Sequence, residues 1–204
     1  MPAGELRSPM KSVALCGSSL VWPLCEHQTT VNLWGRPLRV GLVSSQAPEL
    51  DQTDPKHRNK VLVQVQAFSC NYRDKALVLA FDSICRPDSF LCFGCEFVGE
   101  VLETGGDVKG LRAGDRVIGN GSYPDSGEEG VAAGIPSNHA SKRRLLVAGS
   151  RLLKVPHDMP AEVAASFQVG SQTAYSLVRR LELKEGARVL VTAARSNTSL
   201  AALH

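Results

Sequence analysis

The feature that most constrains this chain is a change of texture at Pro156. Before it, apolar runs are short and broken by Gly, Pro, Asn and Asp. Val31–Trp34, Leu38–Val43, Val61–Ala67, Phe97–Leu102, Arg116–Gly119 and Leu145–Val147 are the strand candidates. Val61 to Ala67 alternates apolar and polar residues, the mark of a half-buried strand. Gly105-Gly106-Asp107 and Ala113-Gly114-Asp115 supply turns between such runs. The pattern predicts a mainly β, barrel-like domain over residues 11–157, after a loose start at residues 1–10.

Beyond Pro156 the period lengthens. Asp158 is placed to cap a helix running to about Phe167, with Pro160 and Glu162 in its first turn. A second helix is predicted after Gly170, where Ala174, Leu177, Val178 and Leu181 form one apolar stripe. Arg179 and Arg180 suit its C-terminal end. These connecting helices occupy residues 158–187 and end in a Lys184-Glu185-Gly186 turn. Arg188 to Thr192 then reads as a buried parallel strand, followed by a helix start.

Composition excludes several classes. With 43% hydrophobic and 21% charged residues, the chain has the apolar content to fold. No run approaches the ~20 apolar residues of a membrane helix, so no membrane association is predicted. Twenty-three Lys and Arg against 20 Asp and Glu is too even a balance to call for nucleic acid. Six cysteines in 204 residues read as reduced thiols, not as a disulfide framework. Ser, Gly and Pro interrupt the apolar run Val13 to Leu24, which therefore does not read as a secretion leader. The expectation is a cytoplasmic protein, in which the Asn120 and Asn197 sequons carry no weight.

Six segments in order carry a resemblance. They are Asn71-Tyr72-Arg73-Asp74, Gly94-Cys95-Glu96-Phe97-Val98-Gly99-Glu100-Val101, and Leu111-Arg112-Ala113-Gly114-Asp115-Arg116-Val117. Leu153-Lys154-Val155-Pro156, Gln172-Thr173-Ala174-Tyr175 and Gly186-Ala187-Arg188-Val189-Leu190-Val191-Thr192 follow. Their order and spacing resemble the medium-chain dehydrogenase/reductase superfamily, and within it the zinc-independent quinone-oxidoreductase-like and enoyl-reductase-like branch. The resemblance covers residues 36–204. It implies a GroES-like β-barrel catalytic domain, then an α/β Rossmann domain, with NADPH or NADH in the cleft between them. Gly114 and Asp115 are structural in that frame. Only the first strand and turn of a Rossmann domain, residues 188–204, are present, since one βαβ unit takes about 30 residues. The expectation is that this chain alone is inactive and that the full-length form is a homodimer.

Zinc-dependent members of the superfamily use a Cys, a His and a second Cys, leaving one position open. Placed by motif, those positions fall on Asn71, Cys95 and Val169. Cys70 is one residue early, which puts it on the opposite side of the chain. The ligand set is broken, and no metal is expected. The Cys92-Phe93-Gly94-Cys95 spacing reads as buried free thiols, with a zinc or redox pair as the alternatives. His139 reads as a solvated loop residue.

Zinc-free relatives reduce an activated carbon–carbon double bond of a small-molecule substrate: hydride goes to the β-carbon, and the enolate is then protonated. Such a site needs a donor at the developing charge. The resemblance points to Tyr72 as that donor and Thr173 as a nicotinamide contact; Asn71 orients substrate or cofactor through its amide. Against this, Tyr72 packs at the barrel edge with its hydroxyl on backbone. Arg73 and Asp74 read as a local ion pair, and Tyr175 as helix packing.

A Rossmann strand normally feeds a glycine-rich turn. Here Ala193, Ser196, Asn197 and Ser199 stand in a turn without glycine. Either hydroxyls, amide and helix N-terminus hold the dinucleotide, with left-handed backbone at Asn197, or the chain is a degenerate, non-catalytic binding module. A zinc-dependent alcohol dehydrogenase with shifted ligands is the third alternative.

Overall fold

The computed structural model describes residues 9–21, 23–33, 35–121, 135 and 137–203. Expectations for residues 1–8 and for Trp34 lie outside the described residues. Strands form where apolar residues alternate. They are β1 (Met10–Cys16), β2 (Cys25–Leu33), β3 (Arg36–Ser45), β4 (Lys60–Ser69), β5 (Phe90–Leu91), β6 (Glu96–Thr104), β7 (Arg116–Gly119), β8 (Arg144–Ala148) and β9 (Leu152–Lys154). Helices α1 (Tyr72–Leu79) and α2 (Phe81–Ile84) sit between β4 and β5; α3 (Ala161–Leu181) and α4 (Asn197–Leu203) follow the strands. Each of the six strand candidates before Pro156 lies, where described, within one of these strands.

The strands form two antiparallel sheets, one ordered β2-β3-β1-β5 and the other β8-β4-β6-β7-β9. In the second, Val61, Val63, Phe97, Val101, Val117 and Val147 are almost completely buried around one core. Polar bonds tie the sheets together: the Ser141 hydroxyl donates to the Val13 carbonyl at 2.6 Å and accepts the Phe93 N–H at 3.0 Å. Asp115 holds the turn before β7. Burial raises its carboxyl, but Lys154 at 2.9 Å and the Arg112 N–H at 2.8 Å pull it to a net value below the usual carboxylate range.

The chain after Pro156 departs from its sequence pattern. One continuous helix, α3, replaces the two predicted. Gly170 does not break it, because the glycine is buried where α4 crosses, with the Asn197 backbone 3.5 Å from where a Cβ would stand. Pro160, not Asp158, is the N-cap, and Glu182 ends the helix in left-handed conformation. The buried face consists of small residues and one amide: Ala164, Ala165, Gln168, Gly170 and Ala174. Of the predicted stripe only Ala174 is buried; Leu177, Val178 and Leu181 are exposed. Tyr175, expected to pack, is exposed as well, under Arg179.

Residues 188–192 form no strand. A parallel strand needs neighbours for its backbone groups, and none of the described strands reaches it. Leu190 is 87% exposed.

Candidate functional site

Strand β4 delivers the chain to Asn71, the N-cap of α1. The Asp74 carboxylate reaches back to accept the Asn71 N–H at 2.7 Å, satisfying a backbone donor that a helix start leaves open. Asp74 is buried in this role. It does not pair with Arg73, whose guanidinium donates instead to Asn138 at 3.0 Å. The predicted local ion pair is replaced by the cap, which is the closer partner for a carboxylate three residues into a helix.

Glu96 opens β6 and is the centre of the site. It is 1% exposed, and a carboxyl group so deep needs donors on both oxygens. Oε1 accepts the Ser69 hydroxyl at 2.6 Å and the Asn71 amide Nδ2 at 2.5 Å. Oε2 accepts the Val169 N–H at 2.8 Å. One side chain thus joins the end of β4, the cap of α1 and the middle of α3. Asn71 Nδ2 also lies 3.4 Å from Cys95 Sγ, and that thiol points to Asp74 at 3.5 Å. Burial, then the Asp74 charge, push the Cys95 thiol up to about 12, with Asn71 opposing. The group is a neutral thiol near pH 7.

Asn71, Cys95 and Val169, placed by motif alone, therefore do converge. A carboxylate, an amide, a thiol and a backbone N–H satisfy one another there. Among the described residues no group of three or more His, Cys, Asp or Glu is placed to hold a metal. Cys70 is exposed beside this cluster, as its one-residue offset predicts. Cys92 packs elsewhere, with Cys16 and Cys25, so the Cys92–Cys95 spacing does not make a paired site. His139 is partly buried, with Nδ1 3.4 Å from the Cys92 carbonyl, so it is not simply solvated.

Thr173 lies one helical turn beyond Val169 and donates to its carbonyl at 2.5 Å. Thr173, Gln168, Val169, Gln172, Gly121 and Leu177 line a cavity of about 310 Å³. Gln172 fixes the cavity wall: its Oε1 accepts the Gly121 N–H at 2.6 Å, and its Nε2 donates to the Gly119 carbonyl at 3.3 Å. Tyr72 is 82% exposed, with Lys75 Nζ 5.2 Å from its ring centroid. It does not pack at the barrel edge: as the first residue of α1 it stands open to solvent.

The structure therefore brings Asn71 and Thr173 into one hydrogen-bonded chain through Glu96 and Val169, with Tyr72 next to it on the outside. Glu96, Gln168 and Gln172 were missed as site residues. A glutamate between Cys95 and Phe97 at the start of an apolar strand is the signal that points to Glu96.

The Ala193–Ser199 turn is ordered by its own side chains. The Ser199 N–H donates to Ser196 Oγ at 3.1 Å, and Ser199 Oγ reaches the Thr192 carbonyl at 2.9 Å. The left-handed residue is Ala193, at φ 52°, not Asn197. Asn197 is helical because Ser196 caps α4 ahead of it. The turn packs against α3 where Asn197 meets Gly170.

Comparison with known proteins agrees with this geometry. Residues 57–178 match the alcohol dehydrogenase GroES-like domain. The chain is 32% identical over 152 residues to quinone oxidoreductase-like protein 2 of Bos taurus, covering 73% of this chain and 38% of that protein. It is 31% identical over 165 residues to acryloyl-coenzyme A reductase of Metallosphaera sedula, covering 74% and 48%. It spans less than half of either relative. The human synaptic vesicle membrane protein VAT-1 homolog-like protein superposes with a TM-score of 0.65 at 22% identity, over 95% of this chain and 50% of that one. That similarity establishes the shared fold. The chain belongs to the alcohol dehydrogenase GroES-like domain family, within the medium-chain dehydrogenase/reductase superfamily.

Proposed function

We propose that this chain is the barrel half of a zinc-independent, nicotinamide-dependent reductase acting on an activated C=C bond of an enone- or quinone-like small molecule. The observation that carries the reading is the Asn71–Glu96–Val169 cluster. By the motif placement it falls where zinc-dependent members would keep their metal, and its polar atoms hydrogen-bond one another. When bound, NADPH or NADH supplies hydride. The chain's own residues supply the rest. Asn71, with its amide nitrogen committed to Glu96, is a positioning residue that fixes the start of α1 and so places Tyr72. Tyr72, open to solvent beside the cluster, is the proton donor through its phenolic O–H. Thr173 and Gln172 form the wall against which the nicotinamide would rest.

The turn at residues 193–199 fits a dinucleotide only in part. The Ser196 and Ser199 hydroxyls already serve the turn itself, so Ala193 and the backbone of Asn197 are the contacts left to offer. Activity accordingly requires more than residues 1–204, and a homodimer is the working form.

A second reading, a non-catalytic partner module, is favoured by the unpaired segment 188–192 and the exposure of Leu190. The experiment that separates the two is NADPH and NADH oxidation with an enone, measured on the longest product that carries these residues. Tyr72→Phe should lower kcat by about 100-fold. An unchanged kcat removes the donor role; no oxidation of either cofactor leaves the partner module as the reading.

A further inference from the structure

Two thiols outside the site lie in contact. Cys16 ends β1, and Cys25 begins β2. Their sulfurs are 3.1 Å apart, and both residues are 2% exposed. The strands are not neighbours: each pairs with β3, one on either side. The sulfurs meet over β3 because residue 41 is glycine. A Cβ there would stand 2.6 Å from Cys25 Sγ. Ala14, Val43 and Cys92 close the cluster.

From this geometry we propose that Cys16 and Cys25 form a modification site, a dithiol that a small disulfide such as oxidised glutathione converts into an intramolecular bond. The electron balance is complete. The Cys16 thiolate attacks one sulfur of the oxidant and expels a first thiol. Cys25 then loses its proton, attacks the Cys16 sulfur and expels the second. Two protein thiols are oxidised, and one external disulfide is reduced to two thiols.

Cys16 is the point of entry. It lines a cavity of about 320 Å³ with Gly17, Ser18, Arg39, Cys85 and Arg86. Arg39, which donates to the Ser18 carbonyl, and Arg86, beside Asp88, bring positive charge to this cavity, which Asp82 also lines. Burial, with the Cys25 contact, pushes the Cys16 thiol up to about 12. Little thiolate exists near pH 7, so the bond forms slowly. A thiol of high pKa is also a poor leaving group, so the bond once formed resists reduction. This is the chemistry of a staple, not of a catalytic redox pair. What it staples is β2, an edge strand whose residues after Cys25 are mostly exposed.

The test is peptide mapping of the intact chain after incubation with oxidised glutathione, alkylation in denaturant and tryptic digestion. Both cysteines fall in the peptide from Ser12 to Arg39. The expected result is a peptide lighter by two hydrogens that takes up no alkylating reagent, and slower amide exchange along β2. In Cys16→Ser, Cys25 should regain full alkylation. The proposal is overturned if both cysteines alkylate while exposed Cys70 reacts with the oxidant. It is equally overturned if either bonds to Cys92, or if Cys25 stays protected in Cys16→Ser. The wild-type map decides the matter even if that variant fails to fold.

Discussion

The five-stranded sheet and the segment from α3 onward contain the same kinds of apolar residue and use them in opposite ways. In the sheet, Val61, Val63, Phe97 and Val117 have no exposed surface. In the C-terminal segment, Leu177, Leu181, Leu183, Val189, Leu190 and Leu203 are each at least 45% exposed. The sheet closes a core of its own, because β4, β6, β7 and β8 all contribute side chains to it. The helix meets the barrel through alanines and Gln168 and through the polar contacts of Val169 with Glu96 and Gln172 with Gly119. Apolar residues there have a period but no surface to meet. An amphipathic pattern thus identifies a face that suits burial and does not say what buries it.

The strongest way to break this contrast is to empty the sheet core. Phe97→Ala removes a ring packed among Val61, Val63 and Val101. It should cost about 3–5 kcal/mol, the range for buried aromatic truncation. Urea unfolding of the chain checks this; a loss below about 1 kcal/mol would show that the core can collapse around the gap.

The contrast also explains what was legible in the sequence. The described strand candidates sit in strands because each alternation had a partner strand of matching pattern. β1 was missed because Ser12 and Cys16 interrupt its apolar rhythm, although both are buried, Ser12 beside the Arg143 N–H. The site was legible as positions: Asn71, Cys95 and Val169 converge as the motifs required. Its centre was not, since a buried Glu96 becomes meaningful only when Ser69, Asn71 and Val169 surround it. Arg188–Thr192 reads as a strand from its apolar run and from the resemblance, and neither supplies the neighbours that a parallel strand requires.

Glu96 is where the two regions are joined by a polar contact, so it sharpens the comparison. Glu96→Gln keeps the volume but turns one acceptor into a donor. That donor must face either Val169 N–H or the Ser69 and Asn71 donors. The expected loss is about 1–3 kcal/mol. Amide exchange should speed at Val169 more than at Val63 or Val117. Equal acceleration at all three would mean that Glu96 supports the barrel itself and not its union with α3.

The smallest effect is expected at Leu190. A residue this exposed has little transfer free energy to lose, so Leu190→Ser should change the stability of the 204-residue chain by no more than about 0.5 kcal/mol. Phe97→Ala and Leu190→Ser each remove a large apolar side chain. The difference between their costs, a few kcal/mol, then reflects burial together with the sizes of the two side chains. In a longer product whose added residues cover the segment, the same Leu190→Ser change should cost about 2 kcal/mol or more, because a buried leucine contributes that much on transfer from water. Thermal or urea unfolding of both forms checks the pair of values. A large cost in the short chain would place Leu190 against the barrel in solution. A negligible cost in both would make the apolar run at 189–191 a surface in its own right.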